Sequence, residues 1–203
     1  MRILGNSIYN NGATNGTLGI EITDSPTFVG GVNPNDVGDL DTGSNGFQNS
    51  PVIASWSSSG GSTTITGTLN SNAGTTFRVE FFANDIGEPT GNGEGRRYLG
   101  FVNVTTNAAG NASFNPTFAT ALVAGQSVTA TATNLATNET SEFSRWVGIS
   151  TLSGTVYNDV DGDADIAEGG MFSLAGVGCG FHCQPIESPE YGRSCTRLCA
   201  ITA

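Results

Sequence analysis

Thr76-Phe77-Arg78-Val79-Glu80-Phe81-Phe82-Ala83 decides how the chain is read. Apolar and polar side chains alternate from Phe77 to Phe81, the period of a half-buried β-strand. Phe77, Val79 and Phe81 fall on one face. Phe82 directly follows Phe81, so it points the other way and is predicted to be the more exposed of the two. The same texture continues on both sides. Val52–Ser57 and Thr63–Leu69 precede this strand, the latter with Thr64-Ile65-Thr66 alternation. Tyr98–Thr105 follows, with Leu99, Phe101 and Val104 predicted to enter the core. Asn111–Phe118, Ser127–Thr133 and Glu142–Val147 complete the series. Six or seven short strands over residues 51–148 predict an antiparallel two-sheet sandwich. Cysteine is absent from this region, so its core must rest on packing of aromatic and aliphatic side chains.

Composition narrows the function classes. The 203 residues include no lysine, and seven basic against eighteen acidic side chains give a net charge of −11. Binding to nucleic acid by phosphate neutralisation needs the opposite sign. Cations are the natural counter-ions, and calcium is the usual extracellular one for oxygen-rich acidic loops. No run approaches the ~18 apolar residues of a membrane helix. The start, Met1-Arg2-Ile3-Leu4-Gly5-Asn6, lacks the apolar stretch of an export signal and reads like mid-domain strand sequence. The expectation is a piece of a longer chain whose signal and anchor lie elsewhere.

Two further segments differ in texture. Residues 1–50 contain Ile3-Leu4-Gly5-Asn6-Ser7-Ile8-Tyr9 and Leu18-Gly19-Ile20-Glu21-Ile22, short alternating stretches separated by Asn-Gly turns. They suit one rung of a parallel β-helix, which cannot bury its own apolar face alone; the alternative is a β-hairpin belonging to the next domain. A connector rich in Gly, Asn, Asp and Pro spans residues 30–50. Residues 149–203 begin with the strand-like Leu152-Ser153-Gly154-Thr155-Val156-Tyr157 and an acidic loop, and Leu174-Ala175-Gly176-Val177 would open the next strand. After Gly178 the alternation stops, and the only histidine and all four cysteines crowd the tail.

The wording of these segments carries a resemblance. Asn6-Ser7-Ile8-Tyr9-Asn10-Asn11-Gly12, Asn33-Pro34-Asn35-Asp36 through Asp39-Leu40-Asp41-Thr42-Gly43, and Asn45-Gly46-Phe47-Gln48-Asn49-Ser50-Pro51-Val52 resemble the C-terminal end of bacterial right-handed parallel β-helix proteins. Phe77 to Asn84, Gly93-Glu94-Gly95, and Thr129 to Thr133 with Thr140 to Ser144 resemble the immunoglobulin-like module that follows in such proteins. Ser153-Gly154-Thr155-Val156-Tyr157-Asn158-Asp159 with Leu174 to Val177 is similar to the opening of the SdrD B-like repeat of surface adhesins. The resemblance implies an all-β chain in three parts: a β-helix end and connector (1–50), an Ig-like β-sandwich (51–148), and a partial B-like repeat with an aberrant tail (149–203). It also implies a secreted or cell-surface bacterial protein, with adhesion to an extracellular carbohydrate or surface protein.

The B-like family binds calcium through acidic loops. Here Asp159, Asp161, Asp163, Asp165 and Glu168 supply carboxylates suited to a hard cation that takes six to eight oxygens. Gly162 precedes Asp163, whereas an EF-hand-style loop places its glycine after the third ligand. Asp36-Val37-Gly38-Asp39-Leu40-Asp41 is a second candidate cation loop, for which a chain of Asx-turns, with carboxylates bonding nearby backbone N–H groups, is the preferred reading.

No catalytic constellation appears. There is no G-x-S-x-G, no phosphate loop and no paired carboxylates over a groove. Cys179-x-x-His182-Cys183 and Cys195-x-x-x-Cys199 offer soft ligands, but at no common zinc spacing. Two structural disulfides are the other chemical reading, and a tail foreign to the B-like module is the bland one. The expected role is a non-catalytic structural and adhesive stalk. The alternative is an accessory part of a carbohydrate-binding or polysaccharide-degrading β-helix protein with its active rungs upstream.

Overall fold

The computed structural model describes residues 1–11, 18–24, 31–85 and 90–148, and the backbone of strand residues 155–156, 172–173, 179–184 and 194–199. Contacts divide the chain into two compact units, Met1–Ile149 and Ser150–Ala203. The first is built on two antiparallel four-stranded sheets. One holds β1 (Val52–Ser59), β2 (Ser62–Asn70), β5 (Asn111–Phe114) and β6 (Thr117–Phe118), with β2 central. The other runs β4 (Arg97–Thr105), β3 (Thr76–Asn84), β7 (Ser127–Asn134), β8 (Val147–Gly148). The expected strands are thus present with small shifts of boundary. Two expectations change. Asn111–Phe118 is split around Pro116, which lacks a ladder N–H. Of Glu142–Val147, only its end pairs as a regular strand, in β8.

The main core lies between the sheets. Ile53, Trp56, Ile65, Leu69 and Phe114 meet Phe77, Val79, Phe81, Val104, Val128, Ala130 and Ala132 in one buried cluster. Phe81 is its aromatic centre, 5.3 Å from the Phe114 ring and 5.4 Å from that of Phe118. Two bulges choose which side chains enter. In β1 the register shifts between Ile53 and Ser55, so that Ile53 and Trp56, three residues apart, both face inward. In β4, Gly100 pairs with Phe81 and Tyr98 with Phe82, leaving Leu99 as the extra residue.

That second bulge corrects the sequence expectation for β4. Leu99, Val102 and Val104 pack toward the core, while Phe101 is 45% exposed. Phe101 lies instead under the Arg78 guanidinium, 3.6 Å from ring centroid to Cζ. Simple alternation through residues 99–104 fails because one inserted residue reverses the faces after it. Gly100 sits at the turn-over point with φ +147°, and a Cβ there would lie 2.5 Å from the Phe118 ring.

Phe82 also departs from expectation. It does face away from Phe81, but it is only 3% exposed, because the outer face of β3–β7 is covered. Ile20, Ile22, Phe82 and Phe143 form a second buried cluster, with Ile3, Ile8 and Phe47 packed against it. The alternating Thr129, Thr131 and Thr133 of β7 are buried on this same outer side. The described residues of 1–50 form no strand. Ile8 makes one antiparallel bridge with Gly95, and Ser44–Phe47 forms a single tight turn. These aliphatics therefore bury against the sandwich, where the sequence reading has them facing a further rung.

In the second unit, β9 (Thr155–Val156) pairs with β10 (Phe172–Ser173), and β11 (Cys179–Gln184) pairs with β12 (Ser194–Cys199). The tail, expected to lack strand structure, forms a six-residue antiparallel ladder.

Double-sided burial sets an expected outcome. Phe81→Ala and Phe82→Ala should each destabilise the first unit by about 3–5 kcal/mol in urea unfolding. Phe101→Ala, which removes an exposed cation–π contact, should cost about 1 kcal/mol or less. A small loss at Phe82 would show that the outer face is not sealed.

Candidate functional site

The outer face of β3–β7 is where residues 1–49 and the sandwich are joined. Three glutamates do the joining, each accepting backbone N–H groups from the N-terminal segment. Fully buried Glu80 on β3 takes the Gly5 N–H at 2.8 Å on Oε2. Its Oε1 accepts from Arg78 Nε at 2.9 Å and lies 2.7 Å from Arg78 Nη2. Glu94, before the Gly95 bridge, takes the Asn11 N–H at 2.7 Å. Glu142 takes three bonds: Ile22 N–H at 3.0 Å, Asn33 N–H at 2.9 Å and Asn33 Nδ2 at 2.9 Å.

Segments without ladder partners must still satisfy their N–H groups when buried. A carboxylate is well suited to this, since it offers two oxygens and its charge strengthens each bond. Backbone pairs complete the junction. Ile8 and Gly95 exchange N–H···O bonds of 2.8 Å in both directions. Ile3 N–H donates to Thr140 Oγ1 at 3.0 Å, and Thr140 N–H to the Met1 carbonyl at 3.2 Å. Gly95 has to be glycine, because a Cβ would lie 2.6 Å from the Phe143 ring and 2.8 Å from that of Phe82.

Residues 140–144 support the site from β7's free side. Ser141 and Ser144 donate N–H to the Ala132 and Ala130 carbonyls, and their hydroxyls accept the Ala132 and Ala130 N–H groups at 3.0 Å. Hydroxyls thus replace carbonyls in an irregular ladder, which leaves Glu142 and Phe143 aimed at the N-terminal segment.

The connector forms a second knot of polar side chains. Asp39 is 7% exposed and accepts from Asn49 N–H at 2.9 Å, Gln48 Nε2 at 2.8 Å and the Ser71 hydroxyl. Asp36 Oδ2 takes the Leu40 N–H at 2.9 Å, and Asn49 Oδ1 the Asp36 N–H at 3.0 Å. The chain of local Asx-turns expected from the sequence is met only in part: Asp36 bonds the Leu40 N–H within the loop, whereas Asp39 draws its donors from Asn49, Gln48 and Ser71 outside it. Carboxylate oxygens of Asp36, Asp39 and Asp41 come within 4.8 Å of one another. Burial raises the Asp39 carboxyl above its ordinary range, against the hydrogen bonds from Ser71 and Asn49. Partial desolvation and then the Asp36 charge raise that of Asp41. Both oxygens of Asp39 are already engaged by protein donors. The loop therefore works as a structural tie between the connector and β2.

The residues assigned to calcium, Asp159, Asp161, Asp163, Asp165 and Glu168, lie outside the described residues. The glutamate junction was not singled out by sequence reasoning. Its signal was weak: a glutamate on a strand otherwise reads as a solvated polar position.

Burial is the largest influence on Glu142 and raises its carboxyl above 4.5, opposed by the Ile22 and Asn33 N–H bonds and reinforced by Glu21. A raised acid binds its proton more tightly when folded. Its contribution to stability therefore falls as pH rises from 4.5 through the folded value, and the cost persists above it. Glu142→Gln removes that titration and turns an amide NH2 toward one of the N–H donors. The stability of the parent relative to the Gln variant should decline as pH rises through this window, measured by urea unfolding at a series of pH values. A pH-independent difference would contradict the burial of Glu142. Glu80→Ala strands the Arg78 charge and should cost about 3–5 kcal/mol.

No protein-family model matches the chain, and comparison with curated proteins gives no match either, so its functional reading rests on its residues and geometry.

Proposed function

We propose that the chain is a non-catalytic structural and adhesive segment of a large secreted or cell-surface bacterial protein. In this reading residues 1–50 are the end of a parallel β-helix, and residues 51–148 are an Ig-like module fastened to it. Residues 149–203 then begin a B-like repeat. The observation that carries the reading is the glutamate junction. A stalk must transmit force between modules without a hinge, and an N-terminal segment clasped by buried Glu80, Glu94 and Glu142 leaves none at that point. A flexible linker would be rich in solvated Gly and Ser instead. The exposed aromatics fit the same reading, since Phe101 and Tyr9 each face a guanidinium of the protein's own, Arg78 and Arg96.

Extension of the full chain in a force spectrometer tests the junction. Residues 1–149 should rupture in a single event, and Glu80→Ala should lower the force of that event. Separate release of the N-terminal segment at low force in the parent would overturn the stalk reading.

Calcium at Asp159, Asp161, Asp163, Asp165 and Glu168 belongs to this proposal, with the ion stiffening that acidic loop. Binding to the folded state alone should add about 2.7 kcal/mol at a hundredfold excess over Kd. Calorimetric titration should show binding in the range of about 10⁻⁴–10⁻³ M common to extracellular modules. The heat should vanish in both Asp161→Ala and Asp163→Ala. No heat at millimolar calcium would remove the ion from the proposal.

A further inference from the structure

The ladder between β11 and β12 sets Cys179 opposite Cys199 and Cys183 opposite Cys195. Between these two pairs, Phe181 stands opposite Arg197. Because Cys179 and Cys183 are four residues apart, as are Cys195 and Cys199, both pairs occupy the same face of the hairpin. From this register we propose that the tail is closed by two cross-strand disulfides, Cys179–Cys199 and Cys183–Cys195.

The spacing selects this connectivity from the three that four cysteines allow. Directly opposed residues in an antiparallel pair have Cα atoms about 4.5 or 5.5 Å apart. Disulfides span about 4.4–6.8 Å between Cα atoms. Four residues along a strand cover about 13 Å, so Cys179–Cys183 and Cys195–Cys199 links cannot close. The diagonal pairs, Cys179 with Cys195 and Cys183 with Cys199, are at least as far apart. The same distance excludes one four-cysteine zinc site, where Zn–S bonds of about 2.3 Å hold all four sulfurs around one ion.

Need and geometry coincide. A two-stranded hairpin is marginal by itself, and small units with little core are commonly stapled by disulfides. Each link forms by exchange with a small-molecule disulfide such as oxidised glutathione. One cysteine thiolate attacks the oxidant's S–S bond, releasing one small thiol and leaving a mixed disulfide. The opposed thiolate then displaces the second small thiol. Two protons and two electrons leave the cysteine pair, and one oxidant disulfide becomes two thiols. None of this depends on the stalk reading.

Disulfide mapping of the full chain tests the assignment. The protein is refolded in a reduced/oxidised glutathione buffer, alkylated, and digested with trypsin and chymotrypsin without reductant. Chymotrypsin cuts after Phe181 and separates Cys179 from Cys183. Trypsin cuts after Arg197 and separates Cys195 from Cys199. The Cys179 peptide should be joined to the Cys199 peptide and the Cys183 peptide to the Cys195 peptide, both separating on reduction. In Cys179→Ser, Cys199 should become alkylatable while Cys183–Cys195 persists. Four alkylated cysteines, same-strand links, diagonal links or thiols protected by stoichiometric zinc would each overturn the proposal. So would transfer of Cys183 to Cys199 in the single variant.

Discussion

The first unit depends on a central strand pair, β3 and β7, that is dry on both faces. An antiparallel sheet of a sandwich commonly has one face on the core and one in water. Here β3 and β7 bury Phe81, Val79 and Ala130 on the inside, and Phe82, Glu80 and Thr131 on the outside. A dry outer face requires a cover, and the described residues of that cover have almost no ladder of their own. Its buried N–H groups need acceptors, and the sandwich supplies them as carboxylates at Glu80, Glu94 and Glu142. The apolar cluster around Phe82 and Phe143 and the carboxylate contacts are two halves of one requirement. Covering the rings desolvates the backbone above them, and the glutamates compensate.

These glutamates are held by different means, and the differences follow from their surroundings. Glu80 is neutralised by Arg78, which is itself fixed between Phe101 and the Tyr98 hydroxyl. Among the described residues Glu142 has no basic partner and is held by N–H groups, and burial raises its carboxyl despite three hydrogen bonds. Glu80 is thus anchored by an ion pair held against aromatic rings, and Glu142 by N–H donors. In the connector, Asp39 repeats the Glu142 pattern, with a carboxylate buried among Asn49, Gln48 and Ser71 donors.

The bulge in β4 links the two faces. By placing Leu99 out of pair, it sends Tyr98 and Phe101 to the Arg78 side and Val102 and Val104 to the core. If Leu99 were instead paired in a regular ladder running on from Tyr98, Phe101 would fall opposite Val79 on the core side and Arg78 would lose the ring beneath it. Glu80 would then sit beside a less constrained guanidinium. One inserted residue therefore helps to set both the inner packing and the electrostatics of the outer junction.

Much of the first unit was legible in the chain itself. The alternation in Thr76–Ala83, Thr63–Leu69 and Ser127–Thr133 marks the strands because side-chain direction in a strand has a period of two, a local property. The absence of lysine and the excess of acids are likewise read from the chain alone, and so is the Asp36–Leu40 turn, whereas Asp39 finds its donors on Asn49, Gln48 and Ser71 only once the connector has folded. What the tertiary structure decided involves partners far apart in sequence. Phe82 is buried because Ile20 and Ile22 lie over it, and no property of residues near 82 announces that cover. Phe101 is exposed because β4 gains a residue against β3, a matter of pairing between two strands. Glu142 bonds to Ile22 across 120 positions, so its role as an acceptor exists only once the N-terminal segment has docked. In the tail, the spacing of the cysteines was visible from the start, but their pairing was not. Register is fixed by which residues face each other across a ladder, and only the folded chain specifies that.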